Sequence, residues 1–387
     1  MQDDRERRLR FCRMSAKQCR GLPGGIVMKR TFTIHQPLAV GLAVVSTLAA
    51  GCVTGRRNIL DEIARSDRQW TGVAVSDSGR IFVNYPRWSD DVPVSVAELK
   101  NNDKPVPYPD EVWNRWDPNS VTSARSRFVC VQSVYIDANN ALWILDAANP
   151  RFEGVVKGGP KLVKVDLADD RVLQTVYFDS EVALKNSYLN DVRIDEGRGV
   201  AYITDSGAGG LIVVDLETGR SRRVLADHPS TRSEDVAVTI GESPWMRPDG
   251  SRPRVHADGI ALSADREYLY YHALTGHTLY RIETRWLRPD AATTDALGAK
   301  VETVTQTGPV DGIIFGPDGA LYLTALEENA VKRLTLDGRN EIVVQDPRLA
   351  WPDTFAVGPE GALYVTTSQI HTQPNPEYPY FLFKIER

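Results

Sequence analysis

Six segments of the chain repeat one pattern, in which a short apolar run, a turn and a second apolar run follow one another. They read TGVAVSDSGRIFVNY, SVYIDANNALWILDA, DVRIDEGRGVAYITDS, GIALSADREYLYYHA, GIIFGPDGALYLTAL and TFAVGPEGALYVTTS. Turn residues between two apolar runs of this length indicate a β-hairpin. Hairpins that recur at intervals of roughly 40 to 70 residues indicate a repeat architecture.

A second hairpin follows most of these segments, as in KLVKVDLADDRVLQTVYF and GLIVVDLETGRSRRVL, so each repeat contains about four strands. One such unit cannot bury its apolar face alone, whereas radial stacking buries each face on a neighbour and leaves no long exposed edge. The pattern therefore predicts an all-β protein, a six-bladed β-propeller. A two-layer sandwich is the alternative, but it does not account for six matched units.

The two ends of the repeat region supply strands that can close the ring. The segment ILDEIARSDRQW precedes the first repeat, and YFLFKIER ends the chain. Because a propeller is usually closed by a blade that mixes both termini, we expect these segments to pair with each other.

The composition is that of an ordinary globular domain. Charged residues make up 25% of the chain, the formal net charge is -5, and no basic run is interleaved with aromatic residues. Nucleic-acid surfaces need concentrated positive charge, so we expect no nucleic-acid partner.

The first fifty residues differ from the rest. A short positive start at Met28-Lys29-Arg30 precedes LAVGLAVVSTLAA, which is too short to span a bilayer comfortably and is followed by Gly51-Cys52. Small residues before a cysteine at this place resemble a bacterial lipoprotein signal, with Cys52 lipidated after cleavage. A plain secretory signal or a retained membrane anchor is the alternative.

These features predict four segments. They are an upstream extension (1–27) with the true start at Met28, a lipoprotein-type signal peptide (28–51), a mature N-terminal segment (52–69) and the propeller (70–387). The expected location is the cell envelope as a lipoprotein, or the periplasm or exterior, with the lipid anchor as the membrane contact.

A series of motifs between Trp70 and Arg387 resembles a known family. The motifs are FVNYPRW, PYPDEVWNRWD, FVCVQSVYIDANNALWILDAA, AYITDSGAGGLIVVDLETGRSRRV, DGIALSADREYLYY and WPDTFAV. The chain resembles the major royal jelly/yellow protein family, as a bacterial member. The resemblance implies a six-bladed propeller and a secreted or envelope location.

The resemblance leaves activity open, because insect members include binders of small aromatic amines, proteins linked to pigment formation and nutritional proteins. Asn139 lies where insect members carry a cysteine, so their disulfide framework is not implied. Cys130 is the lone cysteine of the predicted propeller and is expected to be a buried core residue.

Polar residues recur just ahead of the first strand in four repeats. They are Asn190, Asp258, Asp311 and Asp353. Since the innermost strand of each blade lines the central channel, we expect these side chains to cluster at one channel mouth. Carboxylates that converge in this way repel one another unless they are protonated, hydrogen-bonded or bound to a cation such as Ca²⁺.

The related SMP-30/gluconolactonase propellers hold a divalent metal at these places. Their similarity implies Asn190, Asp258 and Asp311 as metal ligands, with Asp311 also the base. Their first-blade acid is missing, because Thr71-Gly72 stands there, and Asp353 is the candidate substitute. The structural alternative is a turn device, in which the aspartate caps loop amides and the glycine takes a positive φ.

The candidates for ligand binding are Asp353, His256, beside the fourth repeat, and Trp245, in a long irregular segment. The sequence supports a small-molecule ligand held at the channel mouth. A metal-dependent, gluconolactonase-like hydrolase of a lactone or similar ester is the alternative, and an envelope scaffold without turnover is a further one.

Overall fold

The computed structural model describes residues 59–386 except residues 102, 121, 289–293 and 336. The predicted signal peptide, Cys52 and the proposed start at Met28 lie outside the described residues. Within the described part, no helix is long and apolar enough to cross a membrane.

Six four-stranded sheets make up the described part of the chain, and the neighbouring strands of each sheet are antiparallel. The first strand, β1 Ile59–Ser66, belongs to blade six. Blade one contains β2 Val73–Val75, β3 Ile81–Asn84, β4 Val96–Lys100 and β5 Lys104–Pro107, and blade two contains β6 Val131–Ile136, β7 Ala141–Asp146, β8 Lys161–Asp166 and β9 Arg171–Tyr177. Blade three contains β10 Leu189–Asp195, β11 Val200–Asp205, β12 Leu211–Asp215 and β13 Ser221–Val224.

The remaining strands are a short hairpin, β14 Thr239–Ile240 and β15 Ser243–Pro244, followed by β16 Ala257–Leu262, β17 Tyr268–Ala273, β18 Thr278–Glu283, β19 Glu302–Gln306, β20 Val310–Phe315, β21 Leu321–Ala325, β22 Ala330–Leu334, β23 Asn340–Gln345, β24 Pro352–Val357, β25 Leu363–Thr367 and β26 Tyr380–Glu386. Two single-turn helices, α1 Ser123–Ser126 and α2 Thr294–Leu297, lie between strands.

The six sheets form a closed ring. The first strand of each blade contacts the first strand of the next, and β24 of blade six contacts β2 of blade one. The predicted all-β, six-bladed propeller is therefore confirmed.

The ring is closed by the two ends of the repeat region, as expected. β1 pairs antiparallel with β26, from Ile59 opposite Glu386 to Ser66 opposite Tyr380, and forms the outer strand of blade six. The segment Ile59–Ser66, which lies in the predicted mature N-terminal segment, is therefore a strand of blade six.

The hydrophobic core is divided among the blade interfaces. One cluster with Phe82 and Leu142 joins blades one and two, and another with Tyr202 and Leu269 joins blades three and four. Each blade thus buries its apolar faces on its neighbours, which is the reason why the isolated repeat would be unstable.

A break in strand pairing occurs near the start of the first strand in blades two to six. In blade four the register shifts between Ala257 and Ile260, and in blade five between Val310 and Ile313. The equivalent shifts lie within β6, β10 and β24. A β-bulge of this kind re-aims a side chain, and the bulges contain Gln132, Asn190, Asp258, Asp311 and Asp353.

The glycines beside these bulges serve close packing between blades. A Cβ atom at Gly259 would lie 2.2 Å from the Asp311 carbonyl oxygen, and one at Gly312 would lie 2.3 Å from that of Asp353. Neither glycine has a positive φ. The turn interpretation of Asp-Gly is therefore wrong for these two glycines, which are required by backbone approach rather than by a left-handed conformation.

Candidate functional site

The bulged residues of five blades meet on the floor of one cavity. Gln132, Asn190, Asp258, Asp311 and Asp353 all line this cavity, which has a volume of about 900 Å³. The Nδ2 group of Asn190 in blade three donates to Oδ1 of Asp258 in blade four across 2.7 Å. The structure thus brings together the four polar residues that the repeats singled out.

Blade one contributes no acid to this floor. Thr71 is fully buried, and its hydroxyl donates to the Gln132 carbonyl oxygen across 3.1 Å. The adjacent Gly72 donates its N–H to Oδ1 of Asn84 at 3.1 Å, and a Cβ atom at Gly72 would collide with that oxygen. The amide of Asn84 therefore fills the space in which a first-blade ligand would lie.

The pKa values of the floor carboxyls are raised. Burial disfavours the charged form of Asp258 and Asp311 and holds both pKa values well above the usual range, and neighbouring carboxylates add repulsion. Burial likewise raises the pKa of Asp353 to about 7. Near neutral pH the floor therefore retains protons and does not carry three full negative charges.

A buried ion pair lies beside this floor. Asp191 follows Asn190, accepts a hydrogen bond from the Ser133 hydroxyl at 2.9 Å and lies 3.8 Å from the Arg193 guanidinium. Arg193, in blade three, donates to the Ile313 carbonyl oxygen of blade five across 2.9 Å. Because blade four lies between these two blades, the Arg193 side chain reaches past the first strand of blade four to blade five.

One wall of the cavity is aromatic. The ring of Phe152 lies 5.7 Å from that of Trp88 and 4.9 Å from that of Tyr188, measured between centroids. Phe152 is 61% exposed and has a φ of 59°, and Arg151 before it has a φ of 53°. Two successive left-handed residues without glycine store strain, a feature typical of functional loops.

Trp245 also lines the cavity, as its candidacy for ligand binding requires. Its ring packs edge-on against Trp351 at 4.7 Å, and the Trp351 indole N–H donates to Oδ2 of Asp311 at 2.7 Å. Trp351 thereby fixes the rotamer of Asp311 and occupies one of its oxygens, while the rest of the carboxyl faces the cavity.

His256 is not part of the cavity wall. Its Nδ1 accepts a hydrogen bond from the Ser233 N–H at 2.9 Å, and burial lowers its pKa. The side chain therefore holds a loop in place and has no observed contact with the floor carboxyls.

The residues expected to bind a metal, Asn190, Asp258 and Asp311, all line the cavity floor. No three His, Cys, Asp or Glu side chains among the described residues are placed to hold a metal ion. The Asn190 amide turns its nitrogen toward Asp258 and its oxygen toward the Ser206 hydroxyl, 3.3 Å away. This amide would have to rotate before its oxygen could ligate a cation.

Three site residues were missed in the sequence. Gln132 occupies the place in VQSVYID that Asn190 occupies in LNDVRID, so an alignment of repeats could have found it. Arg193 and Trp351 act through contacts with other blades, and the local sequence carries no signal for those contacts.

Residues 129–380 match the family model described as Major royal jelly protein. The chain belongs to the major royal jelly protein family. The family resemblance noted in the sequence is thereby confirmed.

Curated relatives of this major royal jelly family member include Protein yellow of Drosophila melanogaster. It is 24% identical over 274 residues, which cover 65% of this chain and 48% of that protein. Protein yellow of Drosophila subobscura is 23% identical, with 65% and 46% covered. The chain thus spans about half the length of the curated relatives it matches.

Solved structures similar to this family member include a luciferin-regenerating enzyme, with a TM-score of 0.51 and 11% identity over 85% of this chain and 95% of that one. A gluconolactonase from Xanthomonas campestris has a TM-score of 0.50 and 12% identity over 85% and 90% of the two chains. At these identities the similarity establishes the propeller fold alone.

Proposed function

We propose that this protein is an exported propeller that binds a small organic ligand in the cavity at the channel mouth. The observation that carries the proposal is the composition of that cavity, which has an aromatic wall and an acidic floor within about 900 Å³. Ligand pockets are typically concave, of about 300 to 1,000 Å³, and mostly apolar with a few convergent polar groups.

The two sides of the cavity suggest how a ligand lies in it. A flat apolar body packs against Phe152, Trp88 and Tyr188, while a polar end reaches the floor of Asp258 and Asp311. Phe152 is the residue most directly available to a ligand, because its ring remains 61% exposed after packing against Trp88 and Tyr188 and its loop is strained.

Binding of naphthalene derivatives can be measured by equilibrium dialysis or by the change in tryptophan fluorescence. Phe152→Ala should weaken binding about tenfold, since it removes most of one exposed face of the wall. Leu173→Ala is the matched control, because Leu173 is also exposed (54%) but lies on the outer strand of blade two. Absence of saturable binding by the wild type, or equal affinity in Phe152→Ala, would contradict the proposal.

Hydrolysis of a lactone or similar ester is the alternative function, and one observation favours it. Asp311 lines the cavity, and burial raises the pKa of its carboxyl, so this group can hold a proton and pass it to a bound substrate. A lactone screen of the wild type and Asp311→Asn tests this activity. Turnover that Asp311→Asn retains in full would exclude Asp311 as the acid or base. An idle envelope scaffold predicts neither binding nor turnover.

A further inference from the structure

A series of side-chain hydrogen bonds runs along the aromatic wall toward the floor. The indole N–H of Trp88 donates to the Tyr188 hydroxyl, and this hydroxyl lies 3.0 Å from Oε1 of Gln132. The Sγ atom of Cys130 lies 3.6 Å from the same hydroxyl. Trp88, Gln132 and Tyr188 all line the cavity, while Cys130 is fully buried behind them.

The chemistry of these groups decides where the Tyr188 hydroxyl hydrogen points. An indole N–H is a donor only, so the Tyr188 oxygen accepts from Trp88. Either the Cys130 thiol or the Tyr188 hydroxyl can donate in their 3.6 Å contact, but a thiol sulfur is a weak acceptor. The Tyr188 hydroxyl hydrogen therefore goes to the stronger acceptor, Oε1 of Gln132.

This direction determines how the Gln132 amide is turned. The reverse orientation would place a second N–H donor against the Tyr188 oxygen and leave the hydroxyl hydrogen only the weak Cys130 sulfur as an acceptor. With Oε1 toward Tyr188, the Nε2 group donates to no described residue, and Gln132 lines the cavity. The backbone of Gln132 is also held, because its carbonyl oxygen accepts from Thr71 and Asn84.

We infer that Trp88 and Tyr188 are positioning residues that turn the Gln132 amide NH₂ into the cavity, so that the site selects ligands whose polar end carries a hydrogen-bond acceptor. This inference rests on the proposed ligand-binding function. The floor carboxyls Asp258 and Asp311 lie in the same cavity and accept hydrogen bonds. The preferred polar end therefore both accepts and donates, as a phenolic hydroxyl does, whereas an ammonium group only donates.

Three probes of one shape separate these effects: naphthalene, 2-naphthol and 2-naphthylmethylammonium. The wild type should bind 2-naphthol about tenfold more tightly than naphthalene, the scale of one satisfied hydrogen bond in a partly buried site. Tyr188→Phe keeps the ring but releases the amide, so the preference for 2-naphthol over naphthalene should fall to about twofold or less. Binding of the ammonium probe should change little.

Two further variants complete the test. In a Gln132→Met background the preference should already be lost, and Tyr188→Phe should reduce it no further, because both changes remove the same donor. Tyr271→Phe is the matched control, since the Tyr271 hydroxyl is also buried and bonded, to Ser230 at 2.7 Å, but does not line the cavity.

The outcomes distinguish the two proposals. A wild type that binds no naphthalene contradicts the ligand-binding function itself. A wild type that binds naphthalene but keeps its 2-naphthol preference in Tyr188→Phe overturns the positioning role. Equal losses for all three probes in Tyr188→Phe would also overturn it, because they would show collapse of the wall rather than release of the amide.

Discussion

Replacing Asp353 with asparagine should make the protein more stable at alkaline pH. Burial raises the pKa of this carboxyl from 3.8 to about 7 in the folded protein. Between these values the unfolded chain has lost the proton and the folded protein has kept it, so the free energy of unfolding falls as pH rises from about 4 to about 7. Asp353→Asn removes this cost.

The size of the effect follows from the pKa difference. A shift of about three units corresponds to roughly 4 kcal/mol once the pH exceeds 7, as an upper bound. The asparagine oxygen can still accept the Thr354 hydroxyl, which lies 2.9 Å from Oδ1 in the wild type. Since Asp353 also raises the pKa values of Asp258 and Asp311, its removal should lower the penalty at those residues too.

Urea unfolding of both proteins from pH 4 to pH 8.5 measures this directly. The difference between variant and wild type should be near zero at pH 4 and should favour the variant by about 2 to 4 kcal/mol at pH 8. Asp249→Asn is the control, because Asp249 is exposed and its pKa is lowered rather than raised. A pH-independent difference, or a variant that is less stable at pH 8, would refute the reasoning.

Three further predictions concern the cavity floor, the closing strand and the amino-terminal segment. If Ca²⁺ offsets the floor charge, adding it at 100 times Kd should increase the free energy of unfolding by about 2.7 kcal/mol and so raise the melting temperature. Asp311→Asn should weaken this response, and a wild type whose melting temperature ignores divalent ions would contradict a metal site. Truncation after Pro379 removes β26 with its five buried apolar side chains. Burial of each contributes roughly 1.5–3 kcal/mol, and the total free energy of unfolding of a protein is about 5–15 kcal/mol, so circular dichroism should show an unfolded product. A cooperative unfolding transition of the truncated protein would contradict closure of the ring by β1 and β26. Cys52→Ser should release the protein from the membrane fraction or block its processing, and unchanged fractionation and processing would argue against the lipid anchor.

The fold was predictable because every repeat carries its own evidence. Each hairpin is encoded by local turn residues and apolar alternation, and six copies together leave few ways to bury their faces. The floor was predictable in part for the same reason, since Asn190, Asp258, Asp311 and Asp353 occupy one place in their repeats. Side chains at equivalent positions of successive repeats lie at equivalent places in successive blades, and near the channel these places are close together.

What the sequence did not reveal depends on contacts between blades. A glycine is required at position 259 because the backbone of Asp311, 52 residues later in the chain, leaves no room for a Cβ atom. The hydrogen-bond partner of Arg193 is likewise distant, a carbonyl oxygen in blade five. The turn of the Gln132 amide is set by Trp88 and Tyr188, which come from two other parts of the chain. Such orientations follow from three-dimensional packing, and no local pattern encodes them.

The link that Arg193 forms between blades three and five has a consequence for ligand exchange. Because this side chain occupies part of the channel, we expect a ligand to enter and leave past the loops that carry Phe152 and Trp245, both of which line the cavity. Substitutions in those loops should then change the rates of ligand exchange, whereas substitutions on the far side of the propeller should leave them unchanged.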